Sequence, residues 1–185
     1  MKRILLAGFV LLAAACRKPQ APPESAAPAA AGERLIDFGE KNGAFACRAP
    51  AEWKAVEDDA SGGPLVMFLG PTSGPRRGTA SIGVSRYPTA GGRVKTPTEY
   101  VEMLKLTGAE PSALEARPDG TYALHYDSPQ RAPRGRKVLY VNREDAVLVP
   151  AKDGFFLLSH TAPADGYQET MPVFQAVVDS FRPKG

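Results

Sequence analysis

The chain has 185 residues, 43% of them apolar, 8% aromatic and 23% charged, with a formal net charge of +3. Without the first fifteen residues the charge falls to +1, because Lys2 and Arg3 are lost, so the composition gives no electrostatic case for nucleic-acid binding. Residues 33–185 amount to one domain, long enough to bury roughly 68–70% of their unfolded surface without disulfide or metal staples.

Met1-Lys2-Arg3, an apolar run from Ile4 to Ala15 and then Cys16 have the three parts of an export signal: a basic start, a short hydrophobic core and small residues before a cleavage point. The run is shorter than the roughly 20 residues that span a bilayer. Leu12-Ala13-Ala14-Ala15-Cys16 resembles the lipobox of bacterial lipoproteins, with Ala13 where leucine is commoner. The resemblance implies that residues 1–15 are removed and that Cys16 carries diacylglycerol on its sulfur, the new amino group in that family being often acylated as well. Each acyl methylene then contributes about 0.8 kcal/mol to anchorage. The same Ala13-Ala14-Ala15 also fits ordinary signal cleavage. With Cys16 assigned to lipid, Cys47 is solitary and no intramolecular disulfide is available. By resemblance to enterobacterial sorting, Arg17 after the cysteine favours the outer membrane where the organism has one, since aspartate there retains proteins at the inner one.

Residues 16–32 follow as a tether. RKPQAPPESAAPAAAG has no hydrophobic periodicity and is rich in proline and alanine, which predicts a flexible, partly extended spacer reaching up to roughly 50 Å. Arg17 and Lys18 lie beside the lipid, where anionic headgroups or water would take their charges.

Strand signals dominate the domain at 33–185. Phe45–Ala49 alternates, with Phe45, Cys47 and Ala49 on one face, and Pro50 stops it. Trp53–Val56, Leu65–Leu69 and Ala80–Tyr87 are further strands, the last two joined by a Gly/Pro/Arg hairpin loop over Gly70–Gly78. Thr96-Pro97-Thr98-Glu99 is a capping box that opens a helix. Tyr100, Val101, Met103 and Leu104 form its apolar stripe, and Gly108 is its stop. Ala113–Ala116, Tyr122–Asp127, Lys137–Asn142, Ala146–Pro150 and Phe155–Thr161 read as strands. A closing helix has Pro172 in its first turn and Phe174, Val177, Val178 and Phe181 at helical spacing. Many short-linked strands with two substantial helices indicate an α+β fold: an antiparallel sheet covered by helices.

Gly43-Ala44-Phe45 leading to Ala49-Pro50-Ala51-Glu52-Trp53 resembles the opening hairpin of the Mog1/PsbP-like superfamily. Tyr167 together with Pro172-Val173-Phe174 and Val177–Arg182 resembles its closing helix. The likeness spans most of residues 38–183 and implies an α/β/α sandwich around a central antiparallel sheet. That superfamily includes photosystem-associated extrinsic proteins, a Ran-binding nuclear factor and many bacterial proteins. Its members are mostly binding or assembly factors, so the resemblance implies a non-enzymatic module without a cofactor. Fold alone identifies no site.

Ser159-His160 suggests a hydrolase only superficially, because adjacent strand residues point to opposite faces and no G-x-S-x-G elbow accompanies them. Cys47 is a thiol-nucleophile candidate, with His125 or His160 as its base, but its face carries Phe45 and Ala49, which predicts a packed, protonated thiol. His125 and Asp127 project to one strand face, where they are weak metal-ligand or acid–base candidates or a solvated pair. Tyr122, Leu124 and Tyr126 share the other face. Arg131, Arg134, Arg136 and Lys137 lie in a Pro/Gly-interrupted loop, and Arg76-Arg77 in another. The first group is the candidate binding surface for an acidic protein, an anionic lipid or an envelope polymer, because restricted loops often carry function. A solvated basic loop is the plain alternative. The enzyme reading and a small-ligand carrier with a cleft between sheet and helix remain alternatives to the binding module.

Overall fold

The computed structural model describes residues 33–57, 65–74, 77–131 and 137–184. The signal, Cys16 and the tether lie outside the described residues, as do Arg76, Arg134 and Arg136.

Seven antiparallel strands make the main sheet: β3 (Lys54–Glu57), β4 (Val66–Gly70), β5 (Ala80–Pro88), β6 (Glu115–Ala116), β7 (Tyr122–Arg131), β8 (Val138–Ala151) and β9 (Gly154–Pro163). Their spatial order is β3-β4-β5-β9-β8-β7-β6. A smaller sheet, ordered β1-β2-β10, joins β1 (Leu35–Gly39), β2 (Phe45–Pro50) and β10 (Arg182–Pro183). The two helices, α1 (Pro97–Leu106) and α2 (Tyr167–Ser180), cover opposite faces of the main sheet, as an α/β/α sandwich requires.

Alternation along each strand builds the two halves of the core. Ile82, Val84, Val147, Phe156 and Leu158 meet Val173, Phe174 and Val177 of α2, together with Phe45 and Cys47 of β2. On the opposite face Leu124, Ala146, Leu148, Phe155 and Leu157 meet Tyr100, Val101 and Leu104 of α1. Phe45, Phe156 and Phe181 form a three-ring cluster with centroids 5.2–6.2 Å apart, which ties the small sheet and the end of α2 to β9. Trp53 lies flat on Gly70, where any side chain would run into the indole.

The α1 start follows the sequence closely. Thr96 Oγ1 accepts from the Glu99 N–H at 3.2 Å, while the Glu99 carboxylate reaches one residue further back, to the Lys95 N–H at 2.6 Å. Gly108, with φ +85°, adopts the left-handed turn that ends the helix.

Several elements differ from the sequence reading, among them the strand expected at Ala113–Ala116, which is reduced to Glu115–Ala116. The strands expected at Lys137–Asn142 and Ala146–Pro150 are one 14-residue strand, β8. The charged run Arg143-Glu144-Asp145 does not break it, because these groups meet cross-strand partners on β7. β7 continues four residues past Asp127 to Arg131, so Arg131 closes a strand and is not a loop residue. α2 begins at Tyr167, which places Pro172 inside the helix and costs it one backbone hydrogen bond, while Phe174 and Val177 stay buried. β1 and β10 were not anticipated. They are short, largely exposed strands that pair with opposite edges of β2.

Candidate functional site

The chemically suggestive residues of the sequence separate into buried and open groups. Cys47 is buried beside Phe45 and Ala49 as expected, and burial pushes its thiol up to about 12, so it stays protonated at neutral pH. Ser159 and His160 project from opposite faces of β9. His160 is fully buried against α2: its ring stacks on Phe174 with centroids 5.4 Å apart, and its Nε2 lies 2.9 Å from Thr170 Oγ1. The Thr170 hydroxyl also reaches the Tyr167 carbonyl at 3.4 Å. Nδ1 finds no partner among the described residues, and burial holds the ring's pKa down at about 4.

The open group gathers on the outer side of β7. The Ser112 N–H donates to the His125 carbonyl at 2.8 Å, and the His125 N–H donates to Ser112 Oγ at 3.0 Å. The segment from Gly108 to Ser112 therefore runs beside β7 and forms the outer wall of a cavity of about 670 Å³. His125, Asp127, Arg131, Val141 and Arg143 line its inner side. Backbone alternation turns the N–H and C=O of every second residue outward. Pro129 falls on the same alternate as His125, where its missing N–H costs no ladder bond to β8 and blunts the exposed edge.

His125 and Asp127 do share an exposed face, as the sequence predicted. They do not form an acid–base pair: the Asp127 carboxylate is engaged by Arg143, directly opposite on β8, with Nε to Oδ1 at 3.3 Å. The Arg143 guanidinium also sits over the Tyr167 ring, 5.5 Å from its centroid. His125 instead faces Asp145, its register partner. Desolvation raises the Asp145 carboxyl, against the opposing pull of His125, Arg143 and Arg117, and one of its oxygens is buried without a partner among the described residues. A second cavity of about 520 Å³ extends the trough past His125 and Asp145 toward Arg117. Among the described residues no three acidic, histidine or cysteine side chains converge on a metal-sized point.

Of the expected basic cluster, Arg131 lines the trough and Lys137 is exposed at the start of β8. Sequence reasoning missed Arg143, Asp145 and Ser112, because their significance comes from cross-strand register and from the path of residues 108–112, which no local pattern encodes. A smaller cavity of about 350 Å³, lined by Arg117, Asp119, Val149, Gln175 and Asp179, lies between the sheet and α2.

No family model and no curated protein matches the chain by sequence. Solved structures do match. The Ran-binding protein Mog1p of Saccharomyces cerevisiae superposes with a TM-score of 0.58 over 82% of this chain and 96% of its own, at 11% identity. Cyanobacterial PsbP (CyanoP) from Synechocystis sp. PCC 6803 does so with a TM-score of 0.52 over 88% of this chain and 100% of its own, at 16% identity. The fold is Mog1/PsbP-like. At this identity the likeness carries the architecture and no residue role. Among the described residues no helix is long and apolar enough to cross a membrane.

Proposed function

We propose that the protein is a membrane-tethered lipoprotein of the cell envelope, held by lipid on Cys16, and that its domain is a non-enzymatic binding or assembly module. The observation that carries the reading is the division of its reactive groups. The thiol of Cys47 and the imidazole of His160 are sealed in the core, whereas the accessible polar groups line an open trough at a sheet edge. A trough with guanidinium, carboxylate, hydroxyl and imidazole groups suits recognition of an extended polar segment of a protein. The fold supports the reading, since one protein that shares it is described as Ran-binding. Arg131, Arg134, Arg136 and Lys137 supply the positive charge that meets an anionic partner.

Two measurements test the proposal. Mass spectrometry of the mature N-terminus should find diacylglycerol on Cys16, and an unmodified thiol there would refute the anchor. Crosslinking in the envelope should trap a partner through the trough and lose it in an Arg131→Glu/Arg143→Glu variant. Recovery unchanged by that variant would remove the trough from the proposal. The thiol-enzyme alternative finds no support in the buried Cys47.

A further inference from the structure

Past His125 the outer edge of β7 loses its cover. β6 pairs with Tyr122 and Ala123, and Ser112 holds the His125 backbone through its own N–H and hydroxyl. The β7–β8 register is unbroken from Tyr122 to Gln130, so Asp127, two residues on, turns its N–H and C=O outward like His125. Among the described residues no backbone group pairs with them. Pro129 offers only a carbonyl, so the open edge is short. Cavities flank this edge on both faces of the sheet. The trough of about 670 Å³ lies on the α2 side, and a cavity of about 410 Å³, lined by Leu104, Thr107, Tyr126, Ser128 and Glu144, lies on the α1 side. Gly108, Asp127 and Pro129 line both, so the edge and the Gly108–Pro111 wall are two sides of one slot.

Unpaired backbone groups at a strand edge take an extended chain as an added strand. The slot admits a single strand, whereas the Gly108–Pro111 wall stands between this edge and the sheet of a second folded copy. A strand paired with Asp127 sends its side chains alternately into the two cavities. The residue directly opposite Asp127 shares the face of that carboxylate, and Glu110 stands on the outer wall of the same trough. Opposite charges across a strand pair attract and like charges repel, so this position calls for lysine or arginine. Its neighbours point to the α1 side. There Thr107 and the Tyr126–Glu144 hydrogen bond, 2.8 Å between oxygens, suit a small hydroxyl side chain.

We infer that a protein partner binds by strand addition at Asp127, exchanging backbone hydrogen bonds with its N–H and C=O and setting a basic side chain against its carboxylate. The inference deepens the binding-module reading and rests on it. Arg143 then turns from Asp127 to a carboxylate of the same partner, so the internal ion pair of 3.3 Å gives way to intermolecular ones.

The probe is the capped heptapeptide Thr-Glu-Thr-Lys-Thr-Glu-Thr, whose lysine and glutamates share one face and whose sequence reads the same in either strand direction. It is titrated into the full mature chain in detergent micelles, with the backbone amides followed by NMR. The Asp127 amide should shift, and its hydrogen exchange should slow. Methylation of the lysine backbone nitrogen removes a hydrogen bond to Asp127 and should weaken binding about tenfold. Methylation of a flanking threonine nitrogen, which points away from β7, should cost clearly less. Asp127→Pro repeats the tolerated geometry of Pro129 one alternate earlier and should also cost about tenfold. Asp127→Asn keeps the N–H and should cost only a few-fold. If Asp127→Pro disturbs the sheet, the contrast between the two methylations decides alone. Equal losses from both methylations, or an Asp127 amide unmoved by excess peptide, would overturn the inference. So would an envelope crosslink that is lost in Arg131→Glu/Arg143→Glu yet survives Asp127→Pro, a result that keeps the trough as a binding site and removes the added strand.

Discussion

His125 and His160 stand in one row of the main sheet, each directly opposite Asp145, yet they have different chemistry. His160, on a central strand beneath α2, is sealed among Phe174, Tyr167 and Thr170. His125, two strands outward, is exposed beside the trough. The sheet thus grades from a dry core to a wet edge within the width of three strands, and position in the sheet decides whether an imidazole is structural or available. Deleting side chains at the two ends measures the gradient. Phe156→Ala, in the three-ring cluster, should cost about 3–5 kcal/mol in urea unfolding. Leu139→Ala, at the exposed start of β8, should stay within about 0.5 kcal/mol. Comparable losses would mean that the start of β8 is packed in solution.

Acid should act next through His160. The folded-state pKa of His160 is depressed to about 4 from 6.5, so the unfolded chain binds the proton first. Stability is full above pH about 6.5 and falls as the pH drops to about 4, by about 3 kcal/mol in total. Asp145 works the other way: its raised carboxyl pKa favours the folded state as it takes up its proton at low pH. Unfolding midpoints of the native protein and of His160→Leu, followed between pH 7 and 4, check this. The variant should show a distinctly flatter profile. A slope that survives in His160→Leu would assign the acid sensitivity elsewhere.

A smaller effect isolates the polar tie within the core. Thr170→Val keeps the shape of the side chain and removes the hydrogen-bond partner of His160 Nε2, leaving both ring nitrogens without one among the described residues. The expected cost is about 1–3 kcal/mol in thermal or urea unfolding. Because Thr170 lies on α2 and His160 on β9, hydrogen exchange should quicken first at that helix–strand contact.

Core patterning was largely legible in the sequence, since it follows from periods of two and 3.6. Phe45, Cys47 and Ala49 share a buried face, and the Thr96–Gly108 helix has the predicted cap and stop. The failures cluster where tertiary partners override local signals. Arg143-Glu144-Asp145 looks like a break only until Asp127, Tyr126 and His125 stand opposite. Pro129 looks like a terminator, yet it is tolerated because its nitrogen faces away from the ladder. Pro172 looks like a helix start, yet the packing of Tyr167 and Thr170 extends α2 one turn before it. The trough was half legible: His125, Asp127 and Arg131 carry local cues, while Arg143 and Ser112 depend on register and chain path.

The smallest predicted effect bears most directly on binding. The Arg143–Asp127 pair is about half exposed on both sides, so water and salt compete for it. A double-mutant cycle with Arg143→Met and Asp127→Asn should give a coupling of about 0.2–1 kcal/mol that fades with salt. Arg143→Met alone should cost slightly more than Asp127→Asn, because the guanidinium also covers the Tyr167 ring. A weak pair is what an exchangeable site requires. Arg143 gives up little by leaving Asp127 for a partner's carboxylate, and the Tyr167 ring holds the guanidinium in place while the anion changes. A coupling above about 2 kcal/mol would instead mark the pair as desolvated, and Arg143 as a fixed part of the sheet with no charge to offer a partner.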